Sequence, residues 1–202
     1  MSGPMLLVTH PSVPATNLTD LIALLKAQPG KFSYGSAGSG SSAHMATEYF
    51  SMLAGIKMTH IPYKGGGPAM TDLLGGQFQL MIESMPLLLP HVKQGKVRAI
   101  AITGPARSAS LPDVPTFDEL GLHGYDMSVW TGMWVPAGTP KDIVVRLQQE
   151  VAKAITSADM KARFADLGVQ SVGNPSEQFA AFVAAEIAKW GKVVRDTGMR
   201  VE

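Results

Sequence analysis

The residues best equipped for chemistry lie in one run, Tyr34-Gly35-Ser36-Ala37-Gly38-Ser39-Gly40-Ser41-Ser42-Ala43-His44. Glycines and small hydroxyl residues lead into Met45, Tyr49, Met52 and Leu53, which follow at helical spacing. Such a loop exposes backbone N–H groups at the positive end of a helix, with serine hydroxyls beside them and nothing bulky in the way. The chemistry expected is a carboxylate or phosphate cradle built from Ser36, Ala37, Gly38, Ser39, Gly40, Ser41 and Ser42, with His44 orienting the anion. A flexible connector with a serine N-cap reads the same residues equally well. His44 also reads as a surface histidine stacked near Glu48.

Two further runs could contribute. Tyr63-Lys64-Gly65-Gly66 offers a hydroxyl and a positive charge to a carboxylate, or forms a plain turn. Glu83-Ser84 follows an apolar strand and either hydrogen-bonds a ligand or caps a helix. His60 reads as a satisfied sheet histidine, and Trp130 and Trp134 as core. A serine hydrolase would need Gly-x-Ser-x-Gly between strand and helix, and neither Gly38-Ser39-Gly40 nor Gly35-Ser36-Ala37-Gly38 has that spacing. A phosphate loop would need Gly-x-x-x-x-Gly-Lys-Ser/Thr, which is absent. His10, His91 and His123 have no second ligand at metal spacing. No catalytic residue, metal or cofactor is expected.

These loops need strands to carry them. Leu6–Thr9, Phe32–Tyr34, Met58–Pro62, Gln79–Ile82 and Val97–Ile102 read as short strands. Helices fall between them: one capped by Asn17, one over 42–54 closed by Gly55, one ending at Gly75-Gly76, and one over 86–94. Strand–helix alternation predicts a layered α/β unit, whose ligands sit beyond the carboxyl ends of the strands. Loops 35–42, 63–67 and 83–85 all leave strands in that position.

The texture changes after residue 104. Pro105–Pro115 reads as a crossover and Val129–Val135 as a strand. Thr139-Pro140-Lys141-Asp142 reads as a helix start with Thr139 as N-cap, followed by Ile143, Leu147, Val151 and Ile155 on one face. A short helix over 159–167 precedes Gly168. Asn174-Pro175-Ser176-Glu177 opens a last helix with Phe179, Phe182, Val183, Ile187, Trp190 and Val194 in one stripe. These helices need a sheet, yet residues 105–202 supply only about two strands. The second unit reads as incomplete.

Composition narrows the class. The 202 residues can bury a core, and 17 basic against 16 acidic residues give a net charge of +1, which speaks against a nucleic-acid surface. The charged fraction of 16% is low against the usual quarter. Cysteine is absent, which removes thiolate sites and disulfides. No apolar run is long enough for a membrane helix, and Met1–Val8 does not read as a signal peptide.

The motifs together resemble the tripartite tricarboxylate transporter substrate-binding proteins, the Bug or TctC family. The resemblance rests on Tyr34–Ser41, Pro62-Tyr63-Lys64-Gly65, Asp72-Leu73-Leu74-Gly75-Gly76-Gln77, Leu111–Thr116, Pro136-Ala137-Gly138-Thr139-Pro140 and Glu177-Gln178-Phe179, in order along nearly the whole chain. It implies a periplasmic-binding-protein-like (Venus flytrap, type II) α/β fold that holds a small organic acid between lobes and hands it to membrane permease subunits. On this chain the implied contacts are Ser36–Ser42, Tyr63–Gly66 and Glu83-Ser84. It also implies that residues 10–122 are a complete lobe, that 1–9 and 123–202 are part of the other, and that the chain is truncated at its N-terminus. Full-length members would be periplasmic. A homodimer through exposed sheet edges is a further expectation. The rival readings are a hydrolase or transferase using the loop as an oxyanion or phosphate site, and the effector lobe of a regulator.

Overall fold

The computed structural model describes residues 1–199. Six strands, β1 (Ser2–Thr9), β2 (Ser33–Ser36), β3 (Thr59–Pro62), β4 (Leu80–Ser84), β5 (Arg98–Ile102) and β6 (Ser128–Trp130), alternate at first with α1 (Leu18–Ala27), α2 (Ser42–Ala54), α3 (Gly66–Leu74) and α4 (Met85–Lys93). Helices α5 (Lys141–Ile155), α6 (Ala158–Asp166) and α7 (Ser176–Thr197) follow. The strand order is β3-β2-β4-β1-β5, with β6 on the first residues of β1. β2 runs parallel to β3 and β4, whereas β1 is antiparallel to β4, β5 and β6. The carboxyl ends of β2, β3 and β4 therefore open on one edge, and all three candidate loops leave from it.

Alternation builds the layers. Met5, Leu7, Leu80 and Ile82 pack with Leu18, Leu21, Leu25, Ala46 and Phe50 of α1 and α2. Leu6, Val8 and Met81 point the other way, onto Ala69, Leu73 and Leu88 of α3 and α4. Each such fully buried side chain contributes roughly 1.5–3 kcal/mol relative to exposure. The sheet is thus sandwiched between helices, as the alternating pattern predicts.

Local signals hold well in this half. Asn17 caps α1, its Oδ1 accepting from Asp20 N at 2.9 Å, and Gly55 closes α2 in the left-handed conformation. Within β1, Met5–Thr9 pair with β4 and Leu6–Thr9 also with β5, at the centre of the main sheet. Only Ser2–Pro4 pair with β6. The strand expected over 129–135 is shorter, Ser128–Trp130, and the backbone bond that follows it is Thr131 N to Met1 O at 2.9 Å. Thr139 does not cap α5; its hydroxyl donates to Pro136 O at 2.8 Å and closes a turn, leaving Pro140 at the N-cap.

The C-terminal helices are amphipathic without a core. No residue of α5 or α6 is buried, and in α7 only Val193 is. Trp134 and Ile187 are 63% and 69% exposed. A cavity of about 510 Å³ lies among Trp130, Leu147, Val151, Phe164, Phe179 and Phe182.

Candidate ligand-binding site

β2 ends at Ser36, and the chain must then turn sharply to start α2. Ser36 is fully buried and its Oγ organises the turn, meeting Gly38 N and Gly38 O at 3.1 Å each and His60 Nε2 at 2.7 Å. Gly38 has φ +130°, and a Cβ there would sit 3.1 Å from Tyr63 O, so glycine is required on both counts. The loop is laced to its neighbour by Tyr63 N→Ser36 O and Gly65 N→Ala37 O, both 3.1 Å. Ser41 caps α2, its Oγ accepting from His44 N at 3.3 Å. Ser39, Ser42 and Ala43 backbone N–H groups have no acceptor among the described residues. They are the donors left over at the positive end of a 13-residue helix.

Behind the loop stands a stack of three rings. His44 and His60 lie 3.9 Å apart at 9°, and Tyr34 stacks on His60 at 4.9 Å. Tyr34 donates to Glu48 Oε1 at 2.5 Å. His44 is buried rather than on the surface, and its Nδ1 accepts from Gly40 N at 3.0 Å. Burial holds both imidazoles below their ordinary range: His60 is lowered to about 4, with His44 as a second cause, and His44 is lowered despite the nearby Glu48 carboxylate. Burial, then Glu48, push the Tyr34 phenol far up. At neutral pH the stack is therefore uncharged.

The remaining sequence candidates reach the same edge in different roles. Tyr63 donates its hydroxyl to Asp72 Oδ2 at 2.8 Å, and burial followed by that bond raises it to about 12, so this donor is already engaged. Lys64 is exposed at the loop. Glu83 Oε1 accepts from Ser84 N at 2.7 Å, and a Cβ on Gly66 would lie 3.3 Å from Glu83 Oε2, which puts this carboxylate beside the start of α3. Ser84 is the N-cap residue of α4 without a side-chain cap bond. The start of α3 thus faces a negative charge already, whereas the start of α2 does not. Sequence reasoning did not single out Tyr34 and took His60 for a satisfied sheet residue. The register Tyr34↔His60 across β2 and β3 is the signal that would have joined them.

The Ser36–His60 contact has the length of a nucleophile–base pair. Its setting is wrong for one. The hydroxyl is fully buried and engaged with Gly38, no carboxylate orients His60 among the described hydrogen bonds, and an imidazole titrating near 4 is a weak base. Among the described residues there is no group of three or more potential metal ligands, and no helix is long and apolar enough to cross a membrane.

The serine-glycine loop thus lies at the carboxyl-end edge of the parallel strands β2, β3 and β4. The profile of the tripartite tricarboxylate transporter family receptor, TctC, matches residues 1–199. The chain belongs to that family. It is 40% identical to Protein BugT of Bordetella pertussis over 98% of its own length and 61% of that protein's. Its fold superposes on R. palustris Rpa4515 with adipate at TM-score 0.95 and 33% identity, covering 100% of this chain and 67% of that one. The periplasmic binding protein BugD gives TM-score 0.92 at 32% identity, covering 100% of this chain and 68% of that one. MatC from Rhodopseudomonas palustris, with bound malate, gives 0.87 at 31%, covering 96% and 67%. The fold is that of these TctC-type solute-binding proteins, and the chain spans about three-fifths of BugT.

Proposed function

We propose that this chain is the ligand-receiving part of a solute receptor that captures a small carboxylate in the periplasm for a tripartite tricarboxylate-type transporter, with membrane permease subunits as partners and no catalysis. The observation that carries this is the open set of backbone donors, Ser39, Ser42 and Ala43 N–H, at the uncharged start of α2. Free amide donors at a helix start satisfy a carboxylate without a fixed cation. The adipate of Rpa4515 and the malate bound to MatC support this ligand class. Ser36–Ser42 and His44 form the cradle in this reading, with Gly65 and Gly66 completing its wall. Tyr63 and Glu83-Ser84 shape it through Asp72 and the start of α4, and Lys64 supplies long-range attraction.

Residues 10–122, completed by Met5–Thr9, make one lobe in this proposal. Ser2–Pro4 and the segment from 123 onward contribute to the other. The exposed apolar face of α5–α7 is what a lobe lacking part of its sheet would present. The edges available for pairing two copies are β3, four residues ending in Pro62, and β5. Calorimetry on the family-length protein with a panel of mono-, di- and tricarboxylates tests the function. Saturable binding of at least one is expected, whereas a panel without binding, or turnover of esters lost in Ser39→Ala, would overturn it.

A further inference from the structure

The ring of His44 faces two ways. Its Nδ1 accepts the Gly40 N–H at 3.0 Å, and an accepting ring nitrogen carries no proton, so the neutral imidazole is the Nε2–H tautomer. That Nε2–H has no hydrogen-bond partner among the described residues. Among the described residues, the fully occluded side-chain polar atoms without a partner are Thr9 Oγ1, Ser51 Oγ and His91 Nδ1; His44 Nε2 is not one of them, and the residue as a whole is 6% exposed. A nearly buried imidazole with one donor open, in the same first turn of α2 as the open N–H groups of Ser42 and Ala43, can meet an acceptor from outside the chain.

We propose that His44 is both a positioning residue and a ligand contact: Nδ1 pins the serine-glycine loop through Gly40, while Nε2–H donates to the bound carboxylate. This rests on the carboxylate-receptor reading and assigns the side chain that fixes the ligand's orientation within it. The ring serves both ends only while neutral. A proton on Nδ1 would set donor against donor at Gly40 N–H and release the loop. His60, stacked face to face at 3.9 Å, opposes that proton, whereas Glu48, one helical turn away and bonded to Tyr34, favours it. A cationic His44 would draw a carboxylate more strongly by charge, so the sign of the acid effect separates the two roles.

Imidazole ¹⁵N NMR of the chain, with adipate and malate added to tens of millimolar, tests this. The expected result at pH 7.5 is the Nε2–H tautomer for His44, with the Nε2 resonance moving on addition of ligand and affinity falling as His44 is protonated. His44→Asn keeps an acceptor near the Nδ1 position and drops the outer donor. It should hold the Gly40 amide resonance in place and weaken binding about tenfold. His44→Gln keeps an outer donor and drops the inner acceptor, so the Gly40 resonance should shift. A proton on Nδ1, an Nε2 resonance unmoved by a ligand that does bind, or binding that strengthens on protonation of His44 would each overturn the assignment and leave the receptor reading intact. If neither dicarboxylate binds, both the assignment and the reading of these ligands fail together.

Discussion

At the residue scale, the cradle depends on contacts that admit one side chain and no other. Gly35 lies against Phe78, where a Cβ would come within 2.3 Å of the ring, and Phe78 is fully buried. Gly35→Ala is expected to destabilise by about 1–3 kcal/mol through overpacking, measurable by urea unfolding. The histidine stack gives a pH dependence whose sign can be worked out. His60 binds its proton only near pH 4 when folded but near 6.5 when unfolded, so between those values the unfolded chain holds more protons. Stability is full above pH 6.5 and falls as pH drops toward 4, by less than the full linkage value because the ring is partly open to solvent. His60→Gln should flatten that slope in urea midpoints taken from pH 4 to 7.5; an unchanged slope would remove His60 from the account. The serine-glycine run was legible because its residue types name the chemistry. The stack behind it was not, since it arises from the register of β2 on β3, which no local pattern encodes.

At the element scale, caps and alternation carried the reading and absent partners limited it. Asn17→Ala removes a cap that is made and should cost about 1 kcal/mol in thermal or denaturant unfolding. Thr139→Ala removes only a hydroxyl from a turn and should stay within about 0.5 kcal/mol. The two sequences look alike as helix starts, and only geometry separates them. β1 shows the opposite failure. Ser2-Gly3-Pro4 carries no strand signal, yet it is held extended by β6 and by the exchanged Ser2–Gln170 bonds at 2.9 and 2.7 Å. Its pairing is set by residues more than 120 positions away in sequence.

At the scale of the whole molecule, the two halves bury their apolar faces unequally. The sheet with α1–α4 buries two cores, one on each face, while α5–α7 expose Leu147, Val151, Phe182 and Ile187. Such a face is expected to drive self-association, which Ile187→Lys should reduce without unfolding the sheet. Sedimentation velocity against concentration measures it; self-association unaffected by the substitution would place the contact elsewhere. The amphipathic spacing of α5–α7 was legible in the sequence, whereas which of their apolar residues stay exposed depends on neighbours that no local pattern encodes.

The central claim is that an uncharged set of amides at the start of α2 receives a small carboxylate. An amide ¹H–¹⁵N titration with adipate tests it most directly. The account predicts saturable shifts concentrated at Ser39, Ser42 and Ala43, with little movement at the α3 start beside Glu83. Shifts centred on α3 or on the apolar cavity, with the α2 amides still, would contradict it.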